Sequence, residues 1–134
     1  MEDGERREHS STVARSDDSP LPGSLSATAA EIRAAGAEVL VLPADLLVRA
    51  SLDAAAAKAL EHWGRIDLVV HNGRYIGPGH MDLFLDTPIE LLLKQMEANF
   101  FAPLMINKLA LPSMLARGAG IIVNITSGSG YGDP

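Results

Sequence analysis

The groups best placed for chemistry lie in residues 121–130, IIVNITSGSG. Ile121, Ile122 and Val123 are apolar and β-branched, the composition of a short strand buried on both faces. The run then turns polar at Asn124, Thr126 and Ser127 and continues into Gly128, Gly130 and Gly132. Hydroxyls at the carboxyl end of a buried strand, followed by a loose loop, stand where open α/β sheets bind ligands. A serine after a strand is more often an ordinary turn residue than a catalytic one, so the rest of the chain must decide between the two.

The elements that would position this strand end follow a regular alternation. Residues 1–11 are charged and aperiodic, and read as a disordered lead-in to one domain over 12–134. Thr12–Arg15 reads as the end of a strand, and the following SDDSPLPG as loop. Ser24 is placed to cap a helix with Leu25, Ala29 and Ile32 on one face, ending at Gly36. Val39–Leu42 (VLVL) reads as a buried strand stopped by Pro43 and Asp45. Ser51 is placed to cap an Ala-rich helix carrying Leu52, Ala56, Ala59, Leu60 and Trp63, closed by Gly64. Ile66–His71 is the next strand, and a loop runs from Asn72 to about Asp86. Thr87-Pro88-Ile89-Glu90 has the form of a capping box with Pro at the first helical position. Helical sequence then runs to about Arg117, with a break expected near Glu97 and further irregularity at Pro103 and Pro112. Gly118 and Gly120 bracket the turn into the final strand. Helix and strand alternating with short connections give an α/β fold, a Rossmann-like three-layer parallel sheet with right-handed crossovers.

Composition narrows the function. At 134 residues with 47% apolar content, the chain is sized for one globular domain. Eleven Lys and Arg against 17 Asp and Glu give a net charge of −6, which disfavours nucleic acid and anionic membrane as partners. There is no cysteine, which removes disulfides and thiolate chemistry. No apolar run reaches membrane-spanning length, and MEDGERREH has no signal-peptide core. A soluble cytoplasmic protein is the expectation.

From about Thr12 to Pro134 the chain resembles the short-chain dehydrogenase/reductase family. LPADL places Asp45 after a strand, where the family has an Asp contacting the adenine. IDLVVHNG resembles the strand leading into the family's Asn-Asn-Ala-Gly turn. EANFFAP resembles the helix segment bearing the catalytic Asn, which falls on Asn99. ALPSMLARGAGIIVNITS resembles the helix–glycine–strand–Ser run and puts the catalytic Ser on Ser127. Arg15 lies where an Arg of the family often meets the 2′-phosphate of NADP. The resemblance implies hydride transfer between a nicotinamide, of NADP or alternatively NAD, and an alcohol or ketone. It implies that Ser127 bonds the substrate oxygen, that Asn99 holds a relay water through its helix kink, and that Asn72 and Gly73 supply a backbone path along the cofactor. Family members are commonly dimers or tetramers, which makes Thr87–Arg117 an expected interface of a homo-oligomer.

The chain also departs from the pattern. The family's ionising group is the Tyr of Tyr-x-x-x-Lys, about a dozen residues after the Ser; neither Tyr75, with Gly79 four residues on, nor Tyr131 heads such a motif. The opening strand and its Gly-x-x-x-Gly-x-Gly turn are absent. Gly73, Gly77 and Gly79 in GRYIGPG copy that spacing, but Pro78 and the polar GHMD delay any helix, so they read better as a substrate-side loop than as a phosphate cradle. His71 stands where the family has a sheet-stabilising Asn, and reads as a hydrogen-bonded structural residue. Asp45 alone would read as a turn residue, and Asn99 as either a satisfied kink or the relay residue. Without the strand that joins them, Val39–Leu42 and Ile66–His71 are expected to present unpaired edges. The expectation is an oxidoreductase fragment inactive by itself; the alternatives are a non-catalytic nucleotide-binding or interaction remnant, and an unrelated α/β module whose glycines hold phosphate.

Overall fold

The computed structural model describes residues 12–15 and 23–126. Ser127, Tyr131 and the 1–11 lead-in therefore lie outside the described residues. In chain order the elements are α1 (Leu25–Ala34), α2 (Arg49–Trp63), β1 (Leu68–His71), a 3₁₀ turn (Phe84–Asp86), α3 (Ile89–Met96), a π-helical turn (Glu97–Phe101), α4 (Ala102–Arg117) and β2 (Ile121–Asn124).

β1 and β2 pair in parallel, with Leu68 opposite Ile121 and His71 opposite Asn124. A parallel pair needs a long crossover, and the segment from Asn72 to Gly120 supplies it, with α4 packed against β1 on one side and α2 on the other. The seam is built from small residues, since Ala98, Ala102, Ala110, Met114 and Leu52 of α2 are all buried. Alanines let the helix axes approach closely, while Leu52 and Met114 fill the remaining volume. The turn into β2 is as tight: Gly118 closes α4 in the left-handed conformation, and a Cβ on Gly120 would run into the Met114 side chain. Arg117 ties the end of this helix to the start of β1, its Nη2 donating to the Ile66 carbonyl at 2.9 Å and to Asp67 Oδ1 at 3.0 Å.

Several expectations are met and several corrected. Ser24 caps α1 through a bond from the Ala27 N–H, Gly64 closes α2 with positive φ, and the long helix breaks at Glu97. Val39–Leu42 is not a strand: it belongs to no sheet, because a strand is defined by a paired neighbour and, among the described residues, none lies beside it. Thr12–Arg15 is a reverse turn closed by its own two backbone bonds rather than a strand end. Ser51 is not the cap of α2, which starts at Arg49; its hydroxyl instead accepts the Asp45 N–H at 2.9 Å. The capping box at 87–90 does not form either. Thr87 donates its hydroxyl backwards to the Leu83 carbonyl, and Pro88 stands at the N-cap. Of the helix methionines, Met114 is buried and Met96 is exposed. β1 has β2 as its one neighbour among the described residues, so its far edge is open, and Leu68 and Val70 are half exposed. No helix among the described residues is long and apolar enough to cross a membrane.

Candidate active site

The site is created by the parallel register. Because His71 stands opposite Asn124, the residues that follow each strand, Asn72-Gly73-Arg74 and Ile125-Thr126, emerge side by side at one end of the sheet. The third wall is the π-helical turn and the start of α4. Together they enclose a cleft of about 570 Å³ lined by His71, Gly73, Arg74, Asn99, Phe100, Pro103, Leu104, Asn107, Asn124, Ile125 and Thr126. Its polar groups are amides, a hydroxyl, an imidazole and one guanidinium, over an apolar floor of Phe100, Pro103 and Leu104. No cluster among the described residues has the ligands for a metal ion.

The π turn has a cause in the sequence. Pro103 carries no N–H for the carbonyl four residues earlier, that of Asn99, so the α-helical ladder cannot run through this point. The extra residue swings Asn99 outward, and its side chain closes a two-point bond on the opposite loop. Asn99 Oδ1 accepts the Tyr75 N–H at 2.7 Å, and Nδ2 donates to the Tyr75 carbonyl at 3.1 Å. The amide is thus committed to the loop that borders the cleft. At the foot of the turn Glu97 Oε1 accepts from Arg49 Nε of α2 at 2.9 Å, a bond and a charge that raise the Arg49 pKa further above neutrality.

His71 donates Nε2–H to Asn107 Oδ1 at 2.7 Å in a part-buried contact. An amide oxygen only accepts, which fixes the proton on Nε2 and anchors the end of β1 to α4. The loop beyond is shaped by packing: the Tyr75 ring folds over Gly77, where a Cβ would collide with it. Gly79 has φ +84°, and a Cβ there would sit 3.0 Å from Leu91 Cδ1. Both glycines are buried, and a helix begins only at Ile89. Gly73, Gly77 and Gly79 thus lack the helix N-terminus that a phosphate loop requires.

The remaining sequence candidates fall in different places. Asp45 forms a side-chain turn, its Oδ1 accepting the Leu47 N–H at 2.9 Å. A Cβ on Gly73 would lie 3.7 Å from Leu46 Cδ1, so the Asp45 turn borders the strand end that carries Asn72 and Gly73. Asn72 donates its N–H to the Val70 carbonyl. Arg15 lies in the reverse turn at 12–15, which docks on the 79–82 loop through a 2.7 Å bond from the Val13 N–H to Asp82 Oδ2. Ser127 follows Thr126 in the chain and is outside the described residues. Sequence reading missed Asn107, whose signal was its position eight residues after Asn99, two helical turns along the same face. It also missed the Arg49–Glu97 pair, which joins residues 48 apart and leaves no local pattern.

Comparison with known proteins bears on this geometry. Residues 14–133 match the family model described as short chain dehydrogenase. The chain is 37% identical over 90 residues to dehydrogenase/reductase SDR family member 7 of Homo sapiens, covering 67% of this chain and 26% of that protein. It is 36% identical over 90 residues to 2-(R)-hydroxypropyl-CoM dehydrogenase of Xanthobacter autotrophicus, covering 67% of this chain and 36% of that protein. Among solved structures it superposes on a 7α-hydroxysteroid dehydrogenase complexed with NADH and 7-oxo glycochenodeoxycholic acid, with TM-score 0.71 and 26% identity over 82% of this chain and 42% of the other. A metagenomic short-chain oxidoreductase in complex with NADP gives TM-score 0.64 at 29% identity, covering 82% of this chain and 49% of the other. The chain spans about a quarter to a third of these curated relatives and less than half of these structures.

Proposed function

The chain belongs to the short-chain dehydrogenase family, and from that premise we propose that it is the central part of an NADP-dependent oxidoreductase acting on a small-molecule alcohol or ketone, with NAD as the alternative dinucleotide. The observation that carries this reading is the cleft at the shared carboxyl ends of β1 and β2, with Asn99 presented to it by a π turn. Ligands in open parallel sheets bind at that end. The amide and hydroxyl lining suits a neutral nicotinamide and ribose better than a chain of phosphates.

The dinucleotide, when bound, supplies or accepts the hydride. In this reading Asn72 and Gly73 offer backbone along it and Asp45 meets its adenine end. Arg15 meets a 2′-phosphate. Ser127, the residue after cleft-lining Thr126, hydrogen-bonds the substrate oxygen and orients it. The Asn99 backbone carbonyl, deprived of a helical donor by Pro103, accepts from a water in the proton path. The 134 residues contain no Tyr-x-x-x-Lys, so the proton donor is not among them, and the chain alone binds without turning over. The exposed apolar residues Ile89, Leu93 and Met96, spaced along one face of α3, support the homo-oligomer interface expected over Thr87–Arg117.

Calorimetric titration of the 134-residue chain with NADPH and NADH tests the reading. Saturable binding, tighter for NADPH and without oxidation of added alcohols, is expected. Absence of binding for both dinucleotides at millimolar concentration would sink it. Binding of inorganic phosphate that is lost in Gly77→Ala and indifferent to Asp45→Asn would favour the unrelated phosphate-binding module.

A further inference from the structure

The π turn that presents Asn99 is held from two sides, and one of them lies outside the cleft. A π-helical turn is wider and less well bonded than an α turn, so it persists where other contacts fix it. Pro103 explains why the α ladder fails here, but not why the freed residues settle in one place. On the cleft side Asn99 grips both backbone polar groups of Tyr75. On the far side Glu97, the first residue of the turn, accepts from Arg49 Nε at 2.9 Å. Arg49 is itself the first residue of α2, and the connection into that helix is fixed by the Asp45 N–H bonded to Ser51 Oγ and by the Asp45 side-chain turn. Ser51–Asp45, Arg49–Glu97 and Asn99–Tyr75 therefore form one run of contacts from the Asp45 turn to the loop over the cleft.

We propose that Arg49 is a positioning residue, which by holding Glu97 fixes the π turn and so the reach of Asn99 to Tyr75. The contact geometry favours a directional role over a bulk contribution to stability. Arg49 is largely exposed, and exposed ion pairs add little to global stability. A bond across 48 residues, made at the first residue of an irregular turn, nevertheless decides where that turn sits. The aliphatic stem of Arg49 remains in Arg49→Met, so that substitution removes the bond without opening space. The cleft role of Asn99 rests on the oxidoreductase reading, but the positioning of Asn99 by Arg49 does not, because it is read out on the unliganded chain.

Hydrogen exchange of individual amides in the 134-residue chain tests it. The Tyr75 N–H, held by Asn99, is the reporter, and Val69 in β1 is the control. Arg49→Met is expected to speed Tyr75 exchange about three- to tenfold while leaving Val69 within about twofold. Arg49→Lys restores part of the protection. Glu97→Arg alone behaves like Arg49→Met, and the charge-swapped pair Arg49→Glu with Glu97→Arg recovers protection. Combining Arg49→Met with Asn99→Ala adds nothing at Tyr75 beyond Asn99→Ala alone. Unchanged Tyr75 exchange in Arg49→Met, or equal acceleration at Tyr75 and Val69, overturns the proposal. A failure of the dinucleotide titration with these exchange results intact would remove the oxidoreductase reading and leave the positioning role standing.

Discussion

Asn99 holds Tyr75 by both ends of its amide, accepting from the backbone N–H at 2.7 Å and donating to the backbone carbonyl at 3.1 Å. This bond pair is the clasp between the crossover helix and the loop after β1. The side chain of Asn99 thereby shapes one wall of the cleft.

Substitutions at Asn99 should separate these roles. Asn99→Asp keeps the acceptor for the Tyr75 N–H and loses the donor; Asn99→Leu loses both. Each net hydrogen bond is worth about 1 kcal/mol, so a graded loss of thermal stability is expected, small for Asp and about twice as large for Leu. Calorimetric melting of the three proteins checks the order.

The His71–Asn107 pair should behave as a structural unit. His71→Leu leaves the part-buried Asn107 amide without its partner, costing about 1–3 kcal/mol. The double variant His71→Leu with Asn107→Leu should recover much of that loss, because both polar groups are then gone. A double-mutant cycle in urea gives the coupling.

Two glycines that look alike in GRYIGPG should respond in opposite ways. Gly79→Ala forces a side chain into positive φ with Leu91 Cδ1 3.0 Å away, and should destabilise by about 1–3 kcal/mol. Gly73→Ala meets only an ordinary contact with Leu46 and should stay within about 0.5 kcal/mol of the parent. Denaturant midpoints decide the matter. A Gly79→Ala protein as stable as the parent would contradict the packing role assigned to that glycine.

Asp45 offers a clean separation of fold from ligand. Asp45→Asn retains the Oδ1 that accepts the Leu47 N–H, whereas Asp45→Ala loses the turn. Asn should melt like the parent, and Ala should lose about 1 kcal/mol. Under the dinucleotide reading both weaken NADPH binding, and the Asn variant does so without any change in melting temperature.

The sequence determined what local chemistry can determine. Gly64 and Gly118 closed their helices because positive φ is open to glycine. The break expected near Glu97 is there, as a π turn over Glu97–Phe101. The β-branched run 121–123 became a strand, and the alternation of elements gave the α/β class. What failed were the places where two readings of one residue compete. Ser51 and Thr87 each had a hydroxyl suited to capping, and backbone groups six and four residues upstream took those hydroxyls instead. Val39–Leu42 had strand composition and no neighbour to pair with. Only the tertiary structure decided that Asn99 reaches Tyr75, that His71 reaches Asn107 and that Arg49 reaches Glu97. These partners lie 24 to 48 residues apart. Sequence periodicity carries information over a few turns of helix or one strand; which distant polar groups meet is set by the parallel register and the packing of α4 between α2 and β1.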